Sequence, residues 1–397
     1  MTGSLQERTI PRYVALVVLL LLLAVALSLR LYRIEGTLLY SDQAFCWRVA
    51  SSDTVSELVD RAAGDTHPPG YFLVLRNWMR LAGTSPLALR SLSALLGLFS
   101  MAVFYGLFLE VMNWADRSSP SCSNHQLGAL FVTAVMAIHY VPVEASRLAR
   151  MYGLATLFCL TSTWLLLKAI RAENKPYRWW VAYSLAVAAF CYTHSYSFFT
   201  IAAHTLFVGV IFSGRVIRSG GQASKRLLTD FLAAGLFAFL LYLPWLPLFM
   251  EQLTRVKTDF WIPNISMGRL EEILLSWATG LGNWDGMGYW PPLGLSIGNV
   301  STAAFIILVF LEILVAWFIF RSDRAGLFFL TLAALPWVLG LGFSWLGERP
   351  IFLPRYLTFA HLGLVGMVGV AFARLPSAWS GTLLAARVLL PCFYGTW

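Results

Sequence analysis

The 397-residue chain is 58% hydrophobic and only 12% charged, with a formal net charge of +9 and a mean hydropathy of +0.68. A soluble domain carries about 25% charged residues, so this composition excludes a water-soluble globular fold and specifies an all-α polytopic membrane protein.

A bilayer core of about 30 Å takes roughly 20 apolar residues in a helix. About ten such runs occur, near 13–32, 86–109, 127–142, 151–168, 179–195, 197–213, 229–249, 300–320, 325–345 and 356–373. A weaker stretch at 379–394 is left unassigned. The first run, YVALVVLLLLLAVALSLRLY, follows Arg8 and Arg12 as a secretory signal would. It exceeds the roughly 7–15 apolar residues of a signal and no small-x-small cleavage site follows, so it reads as a retained first helix.

Lys and Arg in short loops set the orientation. With the N-terminus cytoplasmic, Arg117, Lys168/Arg171/Lys175/Arg178, Arg215/Arg218/Lys225/Arg226, Arg321/Arg324 and Arg374 all fall inside. The whole of 1–397 then reads as one membrane domain, with a first extracytoplasmic loop at 33–85 and a second at 250–297. The outer face also carries Arg33, Arg48, Arg61, Arg76, Arg80, Arg147, Arg150, Arg255, Lys257, Arg269, Arg349 and Arg355. Such cations suit an anionic ligand, or are simply tolerated because long outer loops escape the charge rule. Cys46, Cys122, Cys159, Cys191 and Cys392 show neither paired nor metal-ligand spacing, so no disulfide framework is expected.

In the first outer loop, Ser52 or Asp53 is placed to cap a short helix. YFLVLRNWMRLAG beyond it is an amphipathic segment suited to the interface. The second loop, with WIPNIS and GNWDGMGYWPPLG, is rich in Trp, Pro and Gly. Ionisable residues at helix centres are few, Glu312 chief among them, with His194, His204 and His361. Chemistry therefore belongs at the outer interface.

Three polar groups there are candidates. Asp42 in YSDQAFCW is a carboxylate just outside the first helix, suited to general-base work on a hydroxyl or amine; alternatively Ser41 or Asp42 simply caps the next helix. In DTHPPG the prolines force an extended turn that presents Asp65 and His67 rigidly. The pair suits a divalent metal or a phosphate-bearing headgroup, or is a plain turn. EASRLARMYG spaces Arg147 and Arg150 three apart, as on one helix face, next to Tyr152. Two such arginines suit a phosphate, or pair with Glu144 and lipid headgroups.

LLYSDQAFCWR, DTHPPGYFLVLRNWMRLAGTSPLALRSLSAL, EASRLARMYGL, YTHSYSFF, YLPWLPLFMEQLTRVKTDFWIP and RPIFLPRYL occur in that order over roughly 38–360. Together they resemble the bacterial polyprenyl-phosphate-sugar-dependent membrane glycosyltransferases related to protein O-mannosyltransferases and the lipid A aminoarabinose transferase. The resemblance implies the C-type glycosyltransferase fold, with about ten transmembrane helices and extracytoplasmic amphipathic helices, in a bacterial inner membrane with the active site outside. It implies Asp42 as the catalytic base, and Asp65, His67, Arg147, Arg150, Tyr152, Arg355 and Tyr356 around the donor phosphate and acceptor. It also implies an inverting displacement from a polyprenyl-phosphate-linked sugar to an extracytoplasmic glycan, lipid or protein, with membrane lipids as surroundings and no nucleic-acid partner. Relatives commonly carry Asp-Glu where this chain has Asp42-Gln43, which argues against a metal role for a second carboxylate there; with the phosphate already a fair leaving group beside the arginines no cofactor is required, and a divalent metal at Asp65 and His67 stays an open alternative. Relatives also often run longer than this chain. A lipid-linked-sugar flippase, or a catalytically silent homologue, would share the basic outer face.

Overall fold

The computed structural model describes residues 11–36, 39, 41–116, 124–219, 221–258, 310–319, 323–346 and 351–374, with isolated positions between 262 and 321. Most of the second outer loop, with both of its aromatic motifs, lies outside the described residues. So do Arg117, Arg269, Arg349, Cys122, Cys392, the start of the 300–320 run and the 379–394 stretch, as well as the side chains of Arg218 and Lys257.

Among the described residues the architecture is helical throughout. Helix α1 (Arg12–Leu31) precedes three short helices of the first loop, α2 (Ser41–Ala50), α3 (Val55–Ala63) and α4 (Gly70–Ala82). The long α5 (Pro86–Asp116) follows, then α6 (His125–Ile138), α7 (Tyr140–Arg147), α8 (Tyr152–Arg171), α9 (Tyr177–Cys191), α10 (Ser197–Ser219), α11 (Gly221–Tyr242) and α12 (Leu246–Thr258). The last elements are α13 (Phe310–Ile319), α14 (Arg324–Leu346) and α15 (Thr358–Ala373). Seven helices among the described residues are long and apolar enough to cross a membrane, eight if α6 and α7 form one bent span. The protein is an integral membrane protein.

Two apolar runs break where their prolines demand it. The expected single helix over 127–142 is α6 and α7, bent by 56° at His139. Pro142 has no N–H to give to Ile138, so the ladder cannot run through. His139 takes an extended conformation (φ −70°, ψ 135°), and its Nδ1 accepts the Val141 N–H at 3.2 Å. The freed carbonyls of Met136 and Ala137 accept from the buried Arg30 guanidinium at 2.9 and 3.2 Å, which ties the end of α1 to the break. Pro244 likewise separates α11 from α12 by a 3₁₀ turn, Leu243–Trp245.

The bundle closes through α14 and α15, which pack together and against α5, α6 and α10. Aromatic pairs carry these contacts: Phe108 with Phe329 at 5.8 Å, Phe131 with Phe372 at 4.4 Å and Phe207 with Phe328 at 4.8 Å. One end is pinned by ions. Arg374 reaches Asp116 at 2.7 Å and Asp323 at 2.9 Å, and His125 meets Asp116 at 2.6 Å. Glu110 pairs there with Lys168 and Arg171.

At the other end the first loop folds as three helices on the bundle. The cap of α3 is Thr54, not Ser52 or Asp53: Thr54 Oγ1 accepts the Glu57 N–H at 3.1 Å while Glu57 accepts the Asp53 N–H at 2.8 Å. A side chain caps best from the residue just before the first helical turn, and here that is Thr54. Helix α4 forms as the amphipathic pattern requires, burying Tyr71, Phe72 and Leu75.

Candidate functional site

Asp42 lies in the first turn of α2, where the helix dipole favours a carboxylate. Its Oδ2 is 3.5 Å from Arg150 Nη2 and 3.5 Å from Arg355 Nη2. The two arginine side chains are only 6% and 10% exposed, whereas that of Asp42 is 44% exposed, so buried cations back a carboxylate that opens outward. Three remote segments meet here: α2, the turn after α7, and the 3₁₀ turn Pro354–Leu357.

Gln43 sets this register. Its Oε1 accepts the Nε–H of Arg90 at 2.9 Å and the N–H of Ala149 at 3.1 Å, joining the residue after Asp42 to the residue before Arg150. Arg150 adds Nη1 contacts of 3.3 Å to the Asp42 carbonyl and to the Cys46 sulfur. Burial pushes the Cys46 thiol up to about 11, so it stays protonated and presents no competing anion.

The DTHPPG turn lies beside this pair. His67 Nδ1 stands 3.2 Å from Asp65 Oδ2 and 3.2 Å from Thr66 Oγ1. A carboxylate only accepts, which fixes the His67 proton on Nδ1. Burial works against the Asp65 charge, but His67, the Arg150 cation and the Thr66 amide outweigh it and hold the carboxyl down to about 2. Burial, against the pull of Asp65 and reinforced by Arg150 and Arg355, keeps the His67 imidazole below its ordinary value and neutral.

A turn between α9 and α10 buttresses this one. The Gly70 N–H donates to the Tyr192 carbonyl at 2.7 Å, and a Cβ at Gly70 would sit 2.6 Å from that oxygen, so no larger residue fits. The turn brings in His194, whose ring lies 5.4 Å from His67, 5.6 Å from Tyr356 and 6.0 Å from Tyr152. Its Nδ1 accepts the Tyr196 N–H at 3.1 Å. Burial, then His67, Arg150 and Arg355, depress its proton affinity well below the ordinary range, so it too is neutral. The Tyr196 hydroxyl donates to the Ile351 carbonyl, anchoring the segment that carries Arg355. Gln252 of α12 braces the first loop through the Asp65 carbonyl at 2.8 Å.

The fold thus gathers Asp42, Asp65, His67, Arg150, Tyr152, Arg355 and Tyr356. It leaves Arg147 apart: that guanidinium donates to the carbonyls of Leu29 and Tyr32 at 2.7 and 2.8 Å. The helix ends at Arg147 and Leu148 is extended (φ −87°, ψ 135°), so Arg147 and Arg150 never share a helical face. Other outer cations also hold backbone: Arg76 takes the Ser52 and Asp53 carbonyls, Arg61 that of Arg48, and Arg255 that of Ala63. Glu312 is exposed on α13, while His361 is buried against the His139 ring at 4.4 Å. Gln43, Arg90 and His194 are not singled out as site residues by the sequence. His194 does stand in the YTHSYSFF segment, and the polar Thr193-His194-Ser195 follows the end of α9.

No protein-family model matches the sequence, and no curated protein matches it. Solved structures do match in three dimensions. ArnT from Cupriavidus metallidurans in the apo state is 16% identical, covering 96% of this chain and 64% of that one, with a TM-score of 0.56. The same protein bound to undecaprenyl phosphate is 17% identical over 96% and 63%, with a TM-score of 0.54. The oligosaccharyltransferase AglB from Archaeoglobus fulgidus, in complex with an inhibitory peptide and a dolichol-phosphate, is 11% identical over 97% and 55%, with a TM-score of 0.52. The chain spans between about half and two thirds of the length of these solved chains. What the likeness establishes is architecture: the chain has the C-type glycosyltransferase fold.

Proposed function

We propose that the chain is an integral-membrane glycosyltransferase that moves a sugar from a polyprenyl-phosphate donor to an extracytoplasmic hydroxyl or amine with inversion. The observation that carries this reading is the outward-opening Asp42 carboxylate backed by Arg150 and Arg355. A donor phosphate entering between the two guanidinium groups competes with Asp42 for them and releases the carboxylate toward the acceptor. The acceptor oxygen or nitrogen then bonds to C1, its proton passes to Asp42, the C1–O bond to phosphate breaks, and polyprenyl phosphate departs. Fixed cations aimed at that developing charge lower the barrier by several kcal/mol.

Two similar solved structures hold undecaprenyl phosphate and dolichol-phosphate, which supports this donor class. The Lys/Arg bias of the opposite loops supports an extracytoplasmic site. Among the described residues no three His, Cys, Asp or Glu side chains gather as a metal site. Asp65 and His67 are occupied with each other, and a dication beside them would face Arg150 and Arg355, so the donor set does not fit a divalent metal.

The test is transfer of radiolabelled sugar from a panel of polyprenyl-phosphate donors to a membrane extract by purified protein. Product formation that collapses in Asp42→Asn supports the reading. Donor translocation without product, unchanged in the variant, overturns it.

A further inference from the structure

We propose that a groove between α9 and α11, at the end of the bundle opposite the site, holds an anionic phospholipid. The groove is a half-open cavity of about 330 Å³, with Tyr177, Trp180 and Val181 on one wall and Arg226, Asp230 and Phe237 on the other. From Arg226 to Phe237 it follows α11 for three turns, about 16 Å at 1.5 Å per residue. That reach runs from the charged start of α11 into its apolar middle. On its floor the Ser184 hydroxyl is bonded to the carbonyls of Trp180 and Ala234, at 2.9 and 2.8 Å, so that side chain offers an acyl chain nothing polar.

The mouth carries the charge. Arg226 and Asp230 line the groove itself, and the exposed Lys175, Arg178 and Lys225 flank it on the same segments, against the single further carboxylate of Glu173. Arg226 is 73% exposed and reaches Asp230 only at 3.8 Å, which leaves most of its donors to a phosphate. Exposed Tyr177 and Trp179 stand at the same level, as aromatic side chains do at headgroup depth. An apolar trough with a net cationic, aromatic-flanked mouth matches a lipid whose headgroup has no cation of its own.

Native mass spectrometry of the full chain with equal phosphatidylglycerol and phosphatidylcholine of matched acyl chains tests this without any transferase assay. Wild type is expected to retain phosphatidylglycerol several-fold over phosphatidylcholine. Each cation near an anionic lipid contributes up to about fivefold, so Lys225→Gln with Arg226→Gln should bring the two lipids to near-equal retention. Arg226→Lys should keep most of the preference. Ala233→Trp fills the groove without touching a charge and should remove the bound lipid. Equal retention of the two lipids by wild type, or a preference that survives the double substitution, overturns the proposal. So does a preference untouched by Ala233→Trp, which would leave only surface cations, or displacement of the lipid by inorganic phosphate, which would leave only the headgroup. Variants are compared at a thermal midpoint matching wild type.

Discussion

Gln43 Oε1 and Arg90 Nε stand 2.9 Å apart, and the same oxygen takes the Ala149 amide at 3.1 Å. One buried acceptor therefore joins α2, α5 and the turn that carries Arg150. Gln43→Leu leaves two buried donors unsatisfied, at about 1–3 kcal/mol each. The thermal midpoint in detergent should fall accordingly, and Gln43→Glu, which keeps the acceptor beside Arg90, should recover most of the loss.

The two arginines of EASRLAR are predicted to behave differently although they are three residues apart. Arg150→Gln and Arg355→Gln each remove a cation facing the phosphate and should lower transfer about 10²–10³-fold. Asp42→Asn should cost about 10²–10⁴-fold. Arg147→Gln removes only the clamp on the Leu29 and Tyr32 carbonyls. It should lower the thermal midpoint while leaving the rate per folded molecule near wild type, as read by transfer assays normalised to folded protein.

Stability should fall on acidification in two windows. His67 and His194 are held neutral, below the ordinary 6.5, so the unfolded chain takes up their protons first. Their contribution is fully present above about pH 6.5 and is lost as pH falls below it, by at most about 1.4 kcal/mol per group per pH unit. Asp65, depressed from 3.8 to about 2, contributes above its unfolded value and loses that contribution as pH falls from there toward 2. Thermal midpoints measured from pH 7.5 to 5 should decline, and His194→Gln should flatten the decline. A slope unchanged in that variant would place the titration elsewhere.

Gly70 tests the contact between the two turns. Gly70→Ala pushes a methyl against the Tyr192 carbonyl and should destabilise by about 1–3 kcal/mol. Gly235→Ala in α11 meets no atom within 4 Å and should be neutral or stabilising by up to about 1 kcal/mol. Parallel thermal melts of the two variants make the comparison.

The spans of α5 and α8 and the interfacial α4 follow from apolar runs and periodicity, which report burial directly. Asp42 and the Asp65–His67 turn stand out because polar groups are rare in such a chain. The pairing of Asp42 with Arg355 is a tertiary contact between segments with no local signal, and only the resemblance brings both to one site. Arg147 misleads because spacing of three places side chains together only while the helix continues, and it stops at that residue. His194 hides because the apolar run assigned to 179–195 carries through it, while α9 ends at Cys191. The outer cations look like anion ligands, yet Arg61, Arg76 and Arg255 donate to backbone carbonyls that the helix ends and turns of the first loop would otherwise leave bare.

The Arg30 guanidinium has a history as well as a place. It is made with the first helix, but the Met136 and Ala137 carbonyls that receive it are made some hundred residues later. Until α6 enters the bilayer, Arg30 must stretch toward headgroups or water. Insertion of α6 is thus the event that draws it inside. A nascent chain halted before α6 should keep this arginine open to aqueous reagents, and one extended past His139 should shield it, which makes one buried side chain a clock for the order of membrane assembly.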